Sequence, residues 1–242
     1  MKTLFTTLFF LAISLSLLGQ NKDLAYFYEQ GIPQIENEWN TDDYCTSFNV
    51  LSELITSEKI APPTEGSAAF QIFLKLADGS QYFKNDSANL GLRFQKAVEL
   101  QSCISKLTMI YHKNLEVIDG KLNYGKPVLL LQSSILYAAE EITKLKEEFL
   151  AKNPDLSDTQ KKGLDQMRNG LGKVLKGGLI TLLDEYSFYD DEDICIFSKK
   201  YFMSYEFLKK HIETEIAREL RKKLSKSRRS HQLKCVKKNI PK

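Results

Sequence analysis

Three histidines, four cysteines and one dense run of carboxylates are the groups with chemistry to offer in this chain of 242 residues. A di-iron site in a helical bundle draws on Glu-x-x-His pairs. The residues three before His112, His211 and His231 are Met109, Leu208 and Arg228, so that pattern is missing. HExxH, GxSxG, Walker A and GxGxxG are missing too. His112 and His211 read as surface or capping histidines. Cys45, Cys103, Cys195 and Cys235 contain no C-x-x-C spacing, which removes both a zinc knuckle and a redox pair. Cys103 and Cys195 lie among apolar neighbours and read as buried thiols, while Cys235 lies in a basic segment and reads as exposed. Oxidation to disulfides is open to an exported chain, and four cysteines allow three connectivities. Glu140, Glu141 and Lys144 read as ion pairing along one helix face. The sequence assigns no catalytic residue, no metal ligand and no cofactor.

The carboxylate run is Asp184 to Asp193, six acids in ten residues with Tyr186, Phe188 and Tyr189 between them. Oxygen ligands at that density suit calcium, but the alternating ligands, central glycine and closing glutamate of a calcium loop are missing. Asp190 to Asp193 fit better as the acidic start of a helix, where carboxylates favour the macrodipole.

Two further patterns bear on binding. Gly163, Gly170 and Gly177 recur every seven residues, nearly two helical turns, so they share one stripe beside Leu164, Leu171, Leu175 and Leu182. The expectation is a side-chain-poor groove into which another helix packs closely. A phosphate-binding loop fails on spacing, because Gly172-Lys173 is followed by neither Ser nor Thr. A membrane-active helix over Gly170 to Leu183 has only Lys173 and Lys176 as cations, against Asp184 and Glu185.

The second pattern is electrostatic. Of 34 Lys and Arg, ten fall in the last 22 residues, which contain no acid; the other 24 face 31 Asp and Glu, a net −7. Arg221, Lys222, Lys223, Lys226, Arg228 and Arg229 are the expected contacts to an anionic partner, an envelope protein or a charged surface. Without interleaved aromatics the segment does not predict specific nucleic-acid binding.

Helices must position these groups. Lys2 followed by the apolar run Leu4 to Leu18 and then Gly19-Gln20 predicts a cleavable export signal over residues 1–20. The run is short for a membrane span, and no later stretch reaches that length. An uncleaved anchor is the other reading, and Gln20 stands where a lipid-anchored protein needs Cys. The rest predicts a single all-α bundle of five to six helices over 21–220, then the basic tail 221–242. Tyr44, Phe48, Leu51 and Ile55 mark a helix over about 41–57, which Pro62-Pro63 ends. Longer helices are expected at about 87–117, 128–151, 158–185 and 191–226, the last kinked near Ser204 and the glycine-striped one central. Asp119-Gly120 marks a turn, Pro127 suits a first helical turn, and Ser157-Asp158-Thr159-Gln160 has capping-box form. The functional expectation is a non-catalytic binding or scaffolding protein of the periplasm or cell envelope. The alternatives are a hydrolase whose carboxylates converge between helices and a secreted membrane-active protein.

Overall fold

The computed structural model describes residues 49, 51–58, 61–64, 90–183 and 186–237, with 91, 92, 95, 96, 100, 186, 226–234, 236 and 237 described by backbone alone. The leader 1–20, Trp39, Cys45, the segment 67–77 and residues 238–242 lie outside the described residues. What is described is predominantly helical, an all-α bundle with one two-residue hairpin. No helix among the described residues is long and apolar enough to cross a membrane.

Five long helices make up the body: α1 (Leu90–Lys113), α2 (Gly125–Lys152), α3 (Asp158–Leu183), α4 (Asp191–Leu208) and α5 (Thr214–Lys237). Between α1 and α2 the chain forms β1 (Val117–Ile118) and β2 (Lys121–Leu122), paired antiparallel with Val117 opposite Leu122. Asp119 and Gly120 have φ of 50° and 78°. Positive φ at both central residues suits the right-handed twist of a two-residue hairpin, and Asp-Gly tolerates it better than most pairs. The expected turn is there, and it carries a short ladder besides.

The centre of the bundle is α2. The spacing placed the glycine-striped helix there, and the structure corrects this. Half of α2, fourteen of its 28 residues, is buried. Val128, Leu131 and Ile135 meet Leu51, Ile55, Ile104, Leu107 and Tyr111. Leu129, Leu136 and Ala139 join the core under α3 and α4, and Ala138, Ile142 and Leu145 meet Ala97 of α1. A helix apolar on several sides must be surrounded. By contrast α3 buries one side, the stripe Leu171, Leu175, Leu179 and Leu182 with Gly172, Gly178 and Thr181, and turns Lys161, Lys162, Asp165, Arg168 and Lys173 to water.

The ends of these helices follow local chemistry. The Ser157 hydroxyl accepts from Gln160 N–H at 3.3 Å while Gln160 Oε1 accepts from Ser157 N–H at 2.9 Å, the reciprocal capping box that the sequence predicts. Helix α2 starts at Gly125, placing Pro127 within its first turn. The helix expected over 191–226 is two helices. A 3-10 turn at Lys209–His211 and extended Ile212 end α4, and α5 runs on to Lys237. Helix α4 is unbroken through Ser204, which is buried and donates to Glu140. The break falls where basic Lys209-Lys210-His211 closes one helix and Glu213 and Glu215 open the next, each set matching its end of the macrodipole. Glu140 turns to α4, 2.9 Å from Lys200 Nζ, so only Glu141 pairs with Lys144 on its own helix.

The thiol expectation is also corrected. Cys195 and Cys235 form a disulfide with Cα atoms 5.7 Å apart, and Cys103 is disulfide-bonded as well. Cys235 reads as exposed only if 221–242 is a loose tail. In the structure its backbone is helical as far as Lys237 and comes alongside α4.

A β-carbon on Gly178 would stand 2.7 Å from the Tyr201 ring, so Gly178→Ala is expected to cost about 1–3 kcal/mol. Gly163→Ala, where no described atom lies within 4 Å, gains about 0.5–1 kcal/mol from lower chain entropy and better helix propensity. Urea midpoints moving in opposite directions for the two variants are the check. Replacing both Cys195 and Cys235 by Ser opens a loop spanning 40 residues, and a loss of about 4 kcal/mol is expected in the same assay.

Candidate functional site

Aromatic and basic residues converge where α4 and α5 fold back on one another. Phe202 and Tyr205, three apart on α4, share a face with Glu206 and Lys209 of the following turn. Ala217, Arg218, Arg221 and Leu224 recur at three and four on α5. The 3-10 turn brings the two faces together around a groove of about 900 Å³. Its floor is apolar: Tyr205 and Leu224 are buried, Phe202 and Ala217 half-buried. Its rim is cationic, with Lys209, Lys210, Arg218 and Arg221 exposed. Lys209 is partly answered by Glu206, and Lys210 Nζ sits 5.4 Å from the centre of the Phe207 ring. Burial pushes the Tyr205 hydroxyl pKa up, so it remains a donor, 3.4 Å from the Ala217 carbonyl.

Of the predicted tail contacts, Arg221 lines this groove. Lys222 is exposed beside it on α5. Lys223 is paired, 3.0 Å from Glu219, which also meets Lys176 at 3.2 Å; the two ammonium groups hold the Glu219 carboxyl below the usual range. The side chains of Lys226, Arg228 and Arg229 lie outside the described residues. Lys209, Lys210 and Arg218 are the members that spacing missed. Read as one continuous helix, 191–226 strings these residues out along its length, and only a reversal at 209–213 gathers them. The change of charge sign across that reversal was the available signal.

The glycine stripe is corrected in the same way. Gly163, Gly170 and Gly177 are exposed, with no described atom within 4 Å of a β-carbon built on any of them. Close packing falls on Gly172, 3.0 Å from Ile216, and on Gly178 under Tyr201. Tyr201 needs that approach because its hydroxyl donates to the Leu175 carbonyl at 2.8 Å. Gly170 and Gly177 instead line a second groove, of about 540 Å³, between α1 and α3. Its floor is α2, with Gln132, Ile135 and Leu136, and His112 lies beside Gln132.

The acidic connection behaves as a helix start. Asp190 caps α4, accepting from Glu192 N–H at 2.9 Å with Lys121 Nζ 3.2 Å away, and these contacts hold its carboxyl below the ordinary value. The described residues hold no cluster of His, Cys, Asp or Glu able to ligate a metal. Among the described residues, the carboxylates displaced from their ordinary range, Glu148, Asp190 and Glu219, all move down. A general acid needs its pKa raised toward the working pH. No family model matches the chain, and no curated protein or solved structure is significantly similar to it.

His211 closes the turn under the cationic rim, its Nε2 3.4 Å from Glu147 Oε1. Burial lowers its pKa, and neighbouring Lys146 and Lys210 add to this against the opposing pull of Glu147. The folded ring is therefore neutral at pH 7, while the unfolded chain takes up a proton near pH 6.5. The stability from keeping it neutral is fully present above about pH 6.5 and is lost as pH falls through the lower folded value. Unfolding free energy is expected to decline between pH 7 and pH 5, and His211→Gln to flatten that slope in urea titrations at stepped pH.

Proposed function

We propose that this is an exported, non-catalytic helical-bundle protein that binds an anionic partner through the groove between α4 and α5. The observation that carries the reading is the ring of Lys209, Lys210, Arg218 and Arg221 around an apolar, aromatic floor. A cationic rim attracts a polyanion from a distance, and an apolar floor adds short-range affinity that bulk charge lacks. Residues 1–20 act as a leader removed on export, 21–220 as the all-α domain and 221–242 as its basic extension. Lys222, Lys226, Arg228 and Arg229 prolong the positive field beyond Arg221. Disulfide-bonded Cys103, Cys195 and Cys235 support an oxidising compartment, the periplasm or the cell exterior. The partner is an acidic envelope protein or an anionic surface, and the bundle serves as scaffold.

The competing classes have less behind them. A hydrolase would be served by carboxylates raised in pKa within a cleft, and the displaced ones are lowered. A membrane-active α3 would need its leucine face free, and Leu171, Leu175, Leu179 and Leu182 are buried in the bundle core.

The test uses the mature protein with phosphatidylglycerol vesicles, neutral vesicles and an envelope extract, each across a salt series. Binding to an anionic target that weakens steadily with salt is expected. Each cation near such a surface contributes about 1 kcal/mol, so Arg218→Ala with Arg221→Ala should weaken binding roughly thirtyfold. Lys223→Ala, whose charge Glu219 already answers, should change it far less. Equal retention by the double variant and the parent would overturn the assignment of this groove.

A further inference from the structure

The groove between α1 and α3 has features that the anionic-partner reading does not use. Helices α1 and α3 both rest on α2, and the cleft they leave is walled on the α1 side by Val98 and Met109 with Gln101, Ser102 and Ser105 between them, and on the α3 side by Gly170, Val174 and Gly177. Gly170 and Gly177 are seven residues apart, so two gaps about 10 Å apart along the helix flank the Val174 side chain. Glycine in an exposed helix interior is unfavourable relative to alanine. Neither position has a positive φ or a described neighbour that requires glycine. What glycine does there is leave the trough open. Opposite it, Val98 is 40% and Met109 58% exposed, apolar side chains held in water at the lip.

On the floor, Gln132 is only 6% exposed. Its Nε2 lies 2.8 Å from His112 Nε2 and 2.7 Å from Thr181 Oγ1, while its Oε1 is buried without a hydrogen-bond partner. Rotating the amide by a half-turn exchanges the two atoms and leaves the nitrogen orphaned instead. One end of this side chain therefore lacks a partner in either orientation, an unfavourable arrangement unless something else supplies one. A hydroxyl, both donor and acceptor, satisfies Gln132 whichever way it points. Lys173 stands at the rim, exposed and in no ion pair among the described residues.

We infer that this groove binds a single-chain amphiphile, its hydrocarbon lying along Gly170–Gly177, its head hydroxyl on Gln132 and its negative charge at Lys173. The volume of about 540 Å³ is within the range of small-molecule sites, ~300–1,000 Å³. Methionine at the lip suits a flexible chain because its own side chain adapts to what lies against it.

The probes are 3-hydroxydodecanoate and dodecanoate, titrated into the mature protein by calorimetry below their critical micelle concentrations. Saturable binding of both is expected, with the hydroxylated acid up to about tenfold tighter, the size of one added hydrogen bond. Gly177→Leu fills the trough and should weaken both at least tenfold while its thermal midpoint stays level or rises. Gln132→Leu should erase the preference for the hydroxyl, and Lys173→Gln should weaken both acids alike. Failure of both acids to bind, unchanged binding by folded Gly177→Leu, or a hydroxyl preference that survives in Gln132→Leu would each overturn the inference. So would self-association that Gly177→Leu abolishes without any uptake of acid, which would make the groove a contact between copies of the chain. Salt-dependent retention on anionic vesicles is expected to fall with Arg218 and Arg221 and not with Gly177, so the two sites fail separately.

Discussion

The seat of Tyr201 on Gly178 is the contact on which the second half of the bundle depends. A ring 2.7 Å from where a β-carbon would stand leaves no room for any side chain on α3 at that position. In return the hydroxyl reaches the Leu175 carbonyl, so a fully buried tyrosine is satisfied at both its apolar and polar ends. Burial also pushes its pKa up, keeping the proton that the bond requires. Phe197 one turn earlier joins the same core, and together they set α4 against α3 with both resting on α2. Once α4 is placed, the 3-10 turn at Lys209–His211 directs α5 back beside it, and the Cys195–Cys235 disulfide holds the pair together.

Charge follows from that placement. The reversal between α4 and α5 gathers cations from two helices around one floor, whereas Glu219 withdraws Lys223 and Lys176 into local pairs. Among the described side chains of α5, basic character is therefore not spread evenly in space. Part of it is neutralised along α5, and part is added to by residues of α4 and the turn, outside the basic segment. His211, neutral because it is half-enclosed and faces two lysines, avoids placing one more positive charge beneath that rim.

Glycine plays two opposed parts on α3. Gly172 and Gly178 face inward and allow Ile216 and Tyr201 to approach. Gly170 and Gly177 face outward over a cleft and hold nothing described against them. A seven-residue recurrence identifies residues that share a face, since seven is close to two turns, and it does not say which face. The leucines do, because burial of Leu171, Leu175, Leu179 and Leu182 orients the helix and sends the heptad glycines to the outside.

What the sequence determined by itself is what nearest neighbours along the chain decide. The helices, the Asp119-Gly120 turn, the capping box at Ser157 and Gln160, and the acidic cap of α4 at Asp190 all rest on interactions within a few residues. Of the apolar residues spaced by threes and fours, Leu51 and Ile55 and the leucines Leu171, Leu175 and Leu182 beside the glycines are buried, while Leu164 is only half-buried. The tertiary structure alone decided that α2 is central, that Cys195 meets Cys235 and that the packing glycines are Gly172 and Gly178. Each of those depends on which faces meet across tens of residues. Periodicity gives every helix an apolar side but not its partner, and partnership is settled by the shapes and hydrogen bonds of side chains that have come together from distant parts of the chain.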